Sequence, residues 1–137
     1  MAKLVSITGI KPVLANLKKA DVSLGMRAAL GLKAAGLFLQ RESQRLVPVD
    51  TGNLKASAFT RAAGFGHTMT VTVGYTANYA IFVHEAVGMV LKGQKRTGDK
   101  AKGKYWDPQG RAQAKFLEEP SRRLRVQMRA IIKRHIT

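Results

Sequence analysis

Apolar residues recur at helical spacing through the first third of the chain. Leu24, Ala28, Ala35 and Leu39 fall on one stripe of an α-helix, and Leu30, Ala34 and Leu37 fall on another. Asp21 or Ser23 can cap the start by accepting a hydrogen bond from the first backbone N–H groups, and Pro48 ends the helix by disfavouring helical geometry at Val47. The pattern predicts a helix from Ser23 to Leu46. A helix apolar over more than one face needs neighbours on more than one side, and in a small domain one of them can be another subunit.

The period then changes. Asp50, Thr51 and Gly52 form a turn whose carboxylate or hydroxyl is placed to cap a short helix starting near Asn53 and Leu54. From about Ala58 the chain reads as extended, with Gly64, Gly66 and His67 as a hairpin turn. Met69, Val71, Val73 and Tyr75 then alternate with small or polar residues, the signature of a half-buried strand. Residues 78–85 read as a short helix. Leu117, Leu124, Met128, Ile131 and Ile132 return near helical spacing, with Arg and Lys between them, and predict an amphipathic C-terminal helix with a basic face. The expected fold class is α+β: a long N-terminal helix packed on a small antiparallel sheet, a short helix, a long basic loop and a C-terminal helix.

At 137 residues the chain fits a single domain over 1–137, and its 45% apolar content suits a folded body. It has no cysteine, so disulfides and thiolate metal sites are excluded. The opening MAKLVSITGIKP lacks the continuous apolar core of a signal peptide. The richest apolar stretch, 24–39, is broken by Arg27 and Lys33 and is shorter than a bilayer span requires. These features predict a soluble protein made in the cytoplasm, with no membrane partner.

Charge changes the picture most. Twenty-four Lys and Arg against eight Asp and Glu leave a formal net charge of +16, a field that attracts polyanions or acidic protein surfaces. Lys92, Lys95, Arg96, Lys100, Lys102 and Lys104 crowd a glycine-rich stretch without apolar period, and 88–110 is therefore expected to be a mobile exposed loop. Arg122, Arg125, Arg129 and Lys133 would line the basic face of the last helix. Both sets are candidate DNA or partner contacts, because nonspecific phosphate binding needs only surface cations. Aromatic residues interleave with these clusters only at Tyr105 and Trp106, and no zinc finger, recognition-helix turn or RNA-binding signature occurs, so sequence-specific reading is not expected.

Catalysis finds little footing. Asp50-Thr51-Gly52 matches the nucleophilic triplet of aspartic proteases, but it follows a helix and a proline where those sites follow a strand in an all-β domain; a capping turn is the simpler reading. His84-Glu85 opens like a helical zinc motif, yet position 88 is Gly. Gly64-Phe65-Gly66 lacks the third glycine and the parallel strand of a dinucleotide fold. No enzyme, no metal, no cofactor and no small-molecule substrate are expected.

The order of three segments carries a resemblance. VPVDTGNLKAS at 47–57, VTVGYTANYAIFVHE at 71–85 and GRAQAKFLEEP at 110–120 resemble the signature blocks of a siphophage tail-completion family. The matching positions are Pro48, Asp50, Thr51, Gly52, Leu54 and Ser57 in the first block, Tyr79, Ala80 and Glu85 in the second, and Phe116 and Leu117 in the third. The likeness spans about residues 10–135. One departure stands out: many members follow the glutamate with Gly-Thr and a short link, whereas here Ala86, Val87 and Gly88 lead into the basic segment.

The resemblance implies an α+β structural protein of the virion neck, made in the host cytoplasm, that joins the tail to the DNA-filled head as a subunit of a homo-oligomeric ring. Its partners would be other neck and tail proteins (an adaptor or stopper, a tail terminator), and its basic segments would lie against DNA in the channel or acidic surfaces beside it. The alternatives are a minor capsid or tail-tube-associated protein, or a basic nonspecific nucleic-acid-binding protein.

Overall fold

The computed structural model describes residues 9–49, 51–87 and 111–137. The expected loop at 88–110, with its cations Lys92, Lys95, Arg96, Lys100, Lys102 and Lys104, lies outside the described residues, as does Asp50.

The first helix, α1, runs Ile10–Leu46, 37 residues and about 55 Å long. It ends where Pro48 predicts, with Val47 extended at φ −68° and ψ 128°. Its start corrects the expectation by more than three turns, and neither Asp21 nor Ser23 is a cap. Ile10, Val13, Leu14 and Leu17 already keep helical spacing, and Pro12 does not interrupt them. It stands in the first turn, where backbone N–H groups have no helical acceptor and a missing one costs nothing. Gly9, at φ 94°, precedes the helix. Asp21 sits mid-helix, 3.1 Å from His67 Nε2.

After Pro48 the chain turns through Thr51 and Gly52 into α2, Asn53–Ala56. Two antiparallel strands follow, β1 (Ala58–Ala63) and β2 (Thr70–Tyr75), in register from Ala58 against Tyr75 to Ala63 against Thr70. The predicted turn holds: Gly64 has φ 87°, and a Cβ there would lie 2.5 Å from the Thr68 carbonyl oxygen. A single 3-10 turn at Gly66–Thr68 completes the connection. A two-stranded ribbon is marginal alone. Here α1 backs it, and the approach is close because position 36 lacks a side chain: a Cβ on Gly36 would come within 2.7 Å of Val71 Cγ1.

Helix α3 spans Ala80–Glu85. The C-terminal helix is two pieces, α4 (Glu118–Arg123) and α5 (Arg125–Ile136), meeting at Leu124 with ψ 11°. Leu124 is buried, while Arg125 and Val126 beside it are exposed, as an amphipathic helix requires. The pair runs back along α1, so that Ile132 lies against Gly31. The result is α+β, a long helix flanked by a small sheet on one side and the C-terminal helix on another.

Candidate functional site

The three sequence blocks meet in one place. Val47, Leu54 and Phe116 form a buried cluster, with Leu46, Tyr75, Ala77, Ala80, Val83 and Leu117 packed around it. Pro48 is buried beside Val47. Phe116, 1% exposed, is its centre: its ring meets Tyr75 edge-on at 5.1 Å and His84 edge-on at 5.0 Å. Burying such a ring against aromatic edges adds specific geometry to a large apolar area. Of the motif residues, Leu54, Ala80, Phe116 and Leu117 are thus brought together. Tyr79 is not. It stands at the start of α3, 40% exposed, and Tyr75 holds the inward aromatic position.

Gly52 leads into α2 at φ 85°, a left-handed conformation that favours glycine. The Thr51 hydroxyl accepts a hydrogen bond from the Asn53 N–H at 3.4 Å. The cap position itself is Gly52 and α2 has no side-chain cap, so the capping expected of the Thr51 hydroxyl is not made, and the Asp50 carboxylate lies outside the described residues.

Glu85 is a joint between α3 and α4. It is ion-paired with Lys115, which also reaches Glu118 at 3.3 Å, and Glu118 is ion-paired with Arg122. His84 Nε2 accepts the Glu118 N–H at 3.4 Å, so Nδ1 carries the proton of the neutral ring and donates it to Glu85 at 2.8 Å. The Lys115 hydrogen bond first, and that of His84 second, hold the Glu85 carboxyl below the usual carboxylate range. The same bond raises the Lys115 ammonium.

Lys115 has φ 56°, unusual for a residue with a side chain. Its N–H donates to the His84 carbonyl at 2.7 Å, and the turn it makes drives Phe116 inward. Nothing in the sequence marked Lys115 or His84 for this work, because a left-handed lysine has no compositional signature. An open hollow of about 270 Å³ lies over Phe116, lined by Tyr75, Ala80, Ile81, His84, Glu85 and Leu117. Among the described residues, no three His, Asp or Glu side chains converge as a metal site would need.

The second feature is a basic surface. Arg122, Arg125, Arg129 and Lys133 are all exposed, opposite the side of α4 and α5 that carries Leu124, Met128 and Ile131. Arg122 is neutralised by Glu118 and Arg123 by Glu119, the latter at 3.0 Å. Among the described residues, Arg125, Arg129 and Lys133 have no carboxylate in ion-pair range. They stand at i, i+4 and i+8, one cation per helical turn.

The third is the uncovered part of α1. Every residue from Gly9 to Leu24 is exposed, including Ile10, Val13, Leu14, Leu17 and Leu24. Leu30 and Leu37 are also exposed, with Ala34 between them half-buried; of the other predicted stripe, Ala28, Ala35 and Leu39 are half-buried or buried and Leu24 is exposed. By length and composition α1 is sufficient to cross a bilayer, although its C-terminal half carries the sheet and α5.

Comparison with family models, with curated proteins and with solved structures finds no match to this chain.

Proposed function

We propose that the chain is a structural virion protein of a tailed bacteriophage, a tail-completion or head–tail connector subunit in the neck, and that it catalyses no reaction. The supporting observation is the convergence on Phe116. Segments 47–57, 71–85 and 110–120, which carry the resemblance, interlock as one core, so their residue types and order answer to a single packing requirement. Glu85, the acidic residue of the second block, is engaged by Lys115 and His84 as a joint between helices.

The role assigned is adhesion. The bare face of α1 suits contacts between ring subunits. The cations of α5, with those of 88–110, suit DNA in the channel or acidic faces of an adaptor, stopper or tail terminator. The reading is tested by removing the gene from the phage that encodes it. Separate DNA-filled heads and finished tails should accumulate, and imaging should place the chain at the neck of complete particles. Normal particles lacking the protein would reject it.

A second reading, a basic nonspecific nucleic-acid-binding protein, is favoured by Arg125, Arg129 and Lys133 alone. Duplex binding that weakens steeply with salt would support it only if particle assembly were unaffected by the loss of the gene. A minor capsid or tail-tube position is the nearest variant of the first reading, and the same images separate the two.

A further inference from the structure

The turn between β1 and β2 holds a phenyl ring out into solvent. Phe65 is extended between two glycines in left-handed conformation, Gly64 at φ 87° and Gly66 at φ 54°, and it is 67% exposed. The backbone beneath the ring is fixed. The Thr68 N–H and hydroxyl both donate to the Phe65 carbonyl, at 3.1 and 2.9 Å, and His67 ties the same turn to Asp21 of α1. An exposed ring on a fixed turn is an anchor whose ordering on binding costs little. At the other end of the ribbon lies the hollow over Phe116, lined by Tyr75, Ile81, His84 and Leu117 among others. Its volume of about 270 Å³ is below the usual range of small-ligand pockets, yet it exceeds the roughly 150 Å³ that accommodates benzene. It suits one aromatic side chain. Six strand pairs, about 17 Å, separate the two features, so Phe65 cannot reach the hollow of its own chain.

We infer that Phe65 of one copy seats in the Phe116 hollow of the next, so that copies interlock through opposite ends of the β1–β2 ribbon. There the ring meets Tyr75, His84 and Leu117, surroundings in which an aromatic side chain gains contact geometry as well as burial. A knob and a hollow on one chain, too far apart to satisfy each other, define a head-to-tail contact that each added copy repeats. Charge selects the same place. Copies of a chain with net charge +16 repel, but Glu85 lines the hollow and Glu118 and Glu119 stand beside it, where they offset Lys115, Arg122 and Arg123. Arg61, exposed on β1 near the hairpin turn, therefore approaches a neutralised rim and not a further cationic surface. The inference deepens the ring proposed above and rests on that reading for its place in a particle, but it uses neither the bare face of α1 nor the cations of α5.

The test places the photoreactive aromatic p-benzoylphenylalanine at position 65 of the full chain and irradiates purified protein at about 1 M salt, where charge is screened beyond about 3 Å. Mass spectrometry should find cross-links to Ile81, His84 or Leu117 of a second copy. Sedimentation under the same conditions should show wild type associating, with Phe65→Ala and Ile81→Glu each needing at least ten times the protein concentration for the same association. Both positions are exposed, and circular dichroism should show both variants folded. Phe65→Ala keeps the hollow and Ile81→Glu keeps the knob, so a mixture of the two should form one sound contact per pair and stop at a dimer. Wild type that stays monomeric and without cross-links overturns the inference, as does association that Phe65→Ala leaves unchanged. Cross-links confined to α1 of a second copy would seat Phe65 elsewhere and also overturn it. So would a nuclear Overhauser contact between the Trp106 indole and Leu117 in the monomer, which would give the hollow an occupant from its own chain. Failure of the neck assignment is separate, because particle images decide it and purified protein does not.

Discussion

The phenol oxygen of Tyr75 stands 2.7 Å from the hydroxyl oxygen of Ser43, linking the last residue of β2 to a fully buried position on α1. Ser43→Ala should leave the phenol without its partner and destabilise the fold by about 1–3 kcal/mol. Tyr75→Phe should cost less, since the Ser43 hydroxyl can turn to a carbonyl one helical turn back. Chemical denaturation of both single variants and the double variant measures the coupling, and a coupling of zero would show that the bond does not join sheet to helix.

Burial pushes the Tyr75 phenol up to about 12, against a smaller opposing effect of the Ser43 bond. The unfolded chain loses that proton near pH 10, so between about pH 10 and 12 the unfolded state holds fewer protons and stability falls as pH rises. Below that window Tyr75 contributes no pH dependence. Ultraviolet titration should show one tyrosine ionising only with unfolding, and Tyr75→Phe should remove that step.

Phe116→Ala should be the most damaging single change among the motif residues. Removing a ring packed against Tyr75, His84, Val47 and Leu54 leaves a cavity, with a loss of about 3–5 kcal/mol. Against a total of roughly 5–15 kcal/mol for an ordinary domain, the variant should be largely unfolded at modest temperature. Phe116→Leu should lose less. A thermal midpoint for Phe116→Ala equal to wild type would remove the core from this account.

Gly31 and Gly25 make a matched pair on α1. Alanine at either gains about 1 kcal/mol of helix propensity. At Gly31 the new Cβ would lie 3.0 Å from the backbone of Ile132, which only a shift of α5 can relieve, at about 1–3 kcal/mol. At Gly25 it would meet the exposed ring of His67 at 3.1 Å, which can swing away. Thermal denaturation should therefore show Gly31→Ala destabilised and Gly25→Ala neutral or stabilised. Equal gains at both would mean that α5 is not pressed against the helix.

The Glu85–Lys115 pair gives pH dependence at both ends of the scale. The Glu85 carboxyl is lowered, so its contribution is present above the ordinary carboxylate value and is lost as pH falls through the lower folded one. The Lys115 ammonium is raised, so its contribution is present below the ordinary lysine value and is lost as pH rises through the higher one. Glu85→Gln should flatten both limbs of the stability profile slightly, the pair being exposed. Unchanged limbs would show that solvent already screens it.

Much of this architecture was legible in residue order. Pro48 stops α1, Val71 and Val73 alternate with threonines, and Gly64 and Gly66 turn the hairpin, each because one local rule acts without competition. The start of α1 escaped because Pro12 resembles a breaker unless it is already known to stand in a first turn, and Asp21 resembles a cap until His67 is placed beside it. The break at Leu124 was invisible for a similar reason, since its apolar spacing is that of one continuous helix. At the candidate site, the apolar members Leu54 and Phe116 were legible. The Ser43–Tyr75 bond was not, because it joins residues 32 positions apart, and a pattern within one element cannot report on its partner.

The fit of Gly31 against Ile132 closes a loop of about a hundred residues, and such closure must precede any reward from the contact. Synthesis proceeds from the N-terminus, so the seam of α1 emerges long before the segment that fills it. Until Ile132 is made, a nascent chain displays Ala28, Gly31 and Ala35 together with the Ile10–Leu24 stripe as one unbroken sticky ribbon. Neighbouring nascent chains can meet there out of turn, which makes the last dozen residues guardians of solubility as well as of shape.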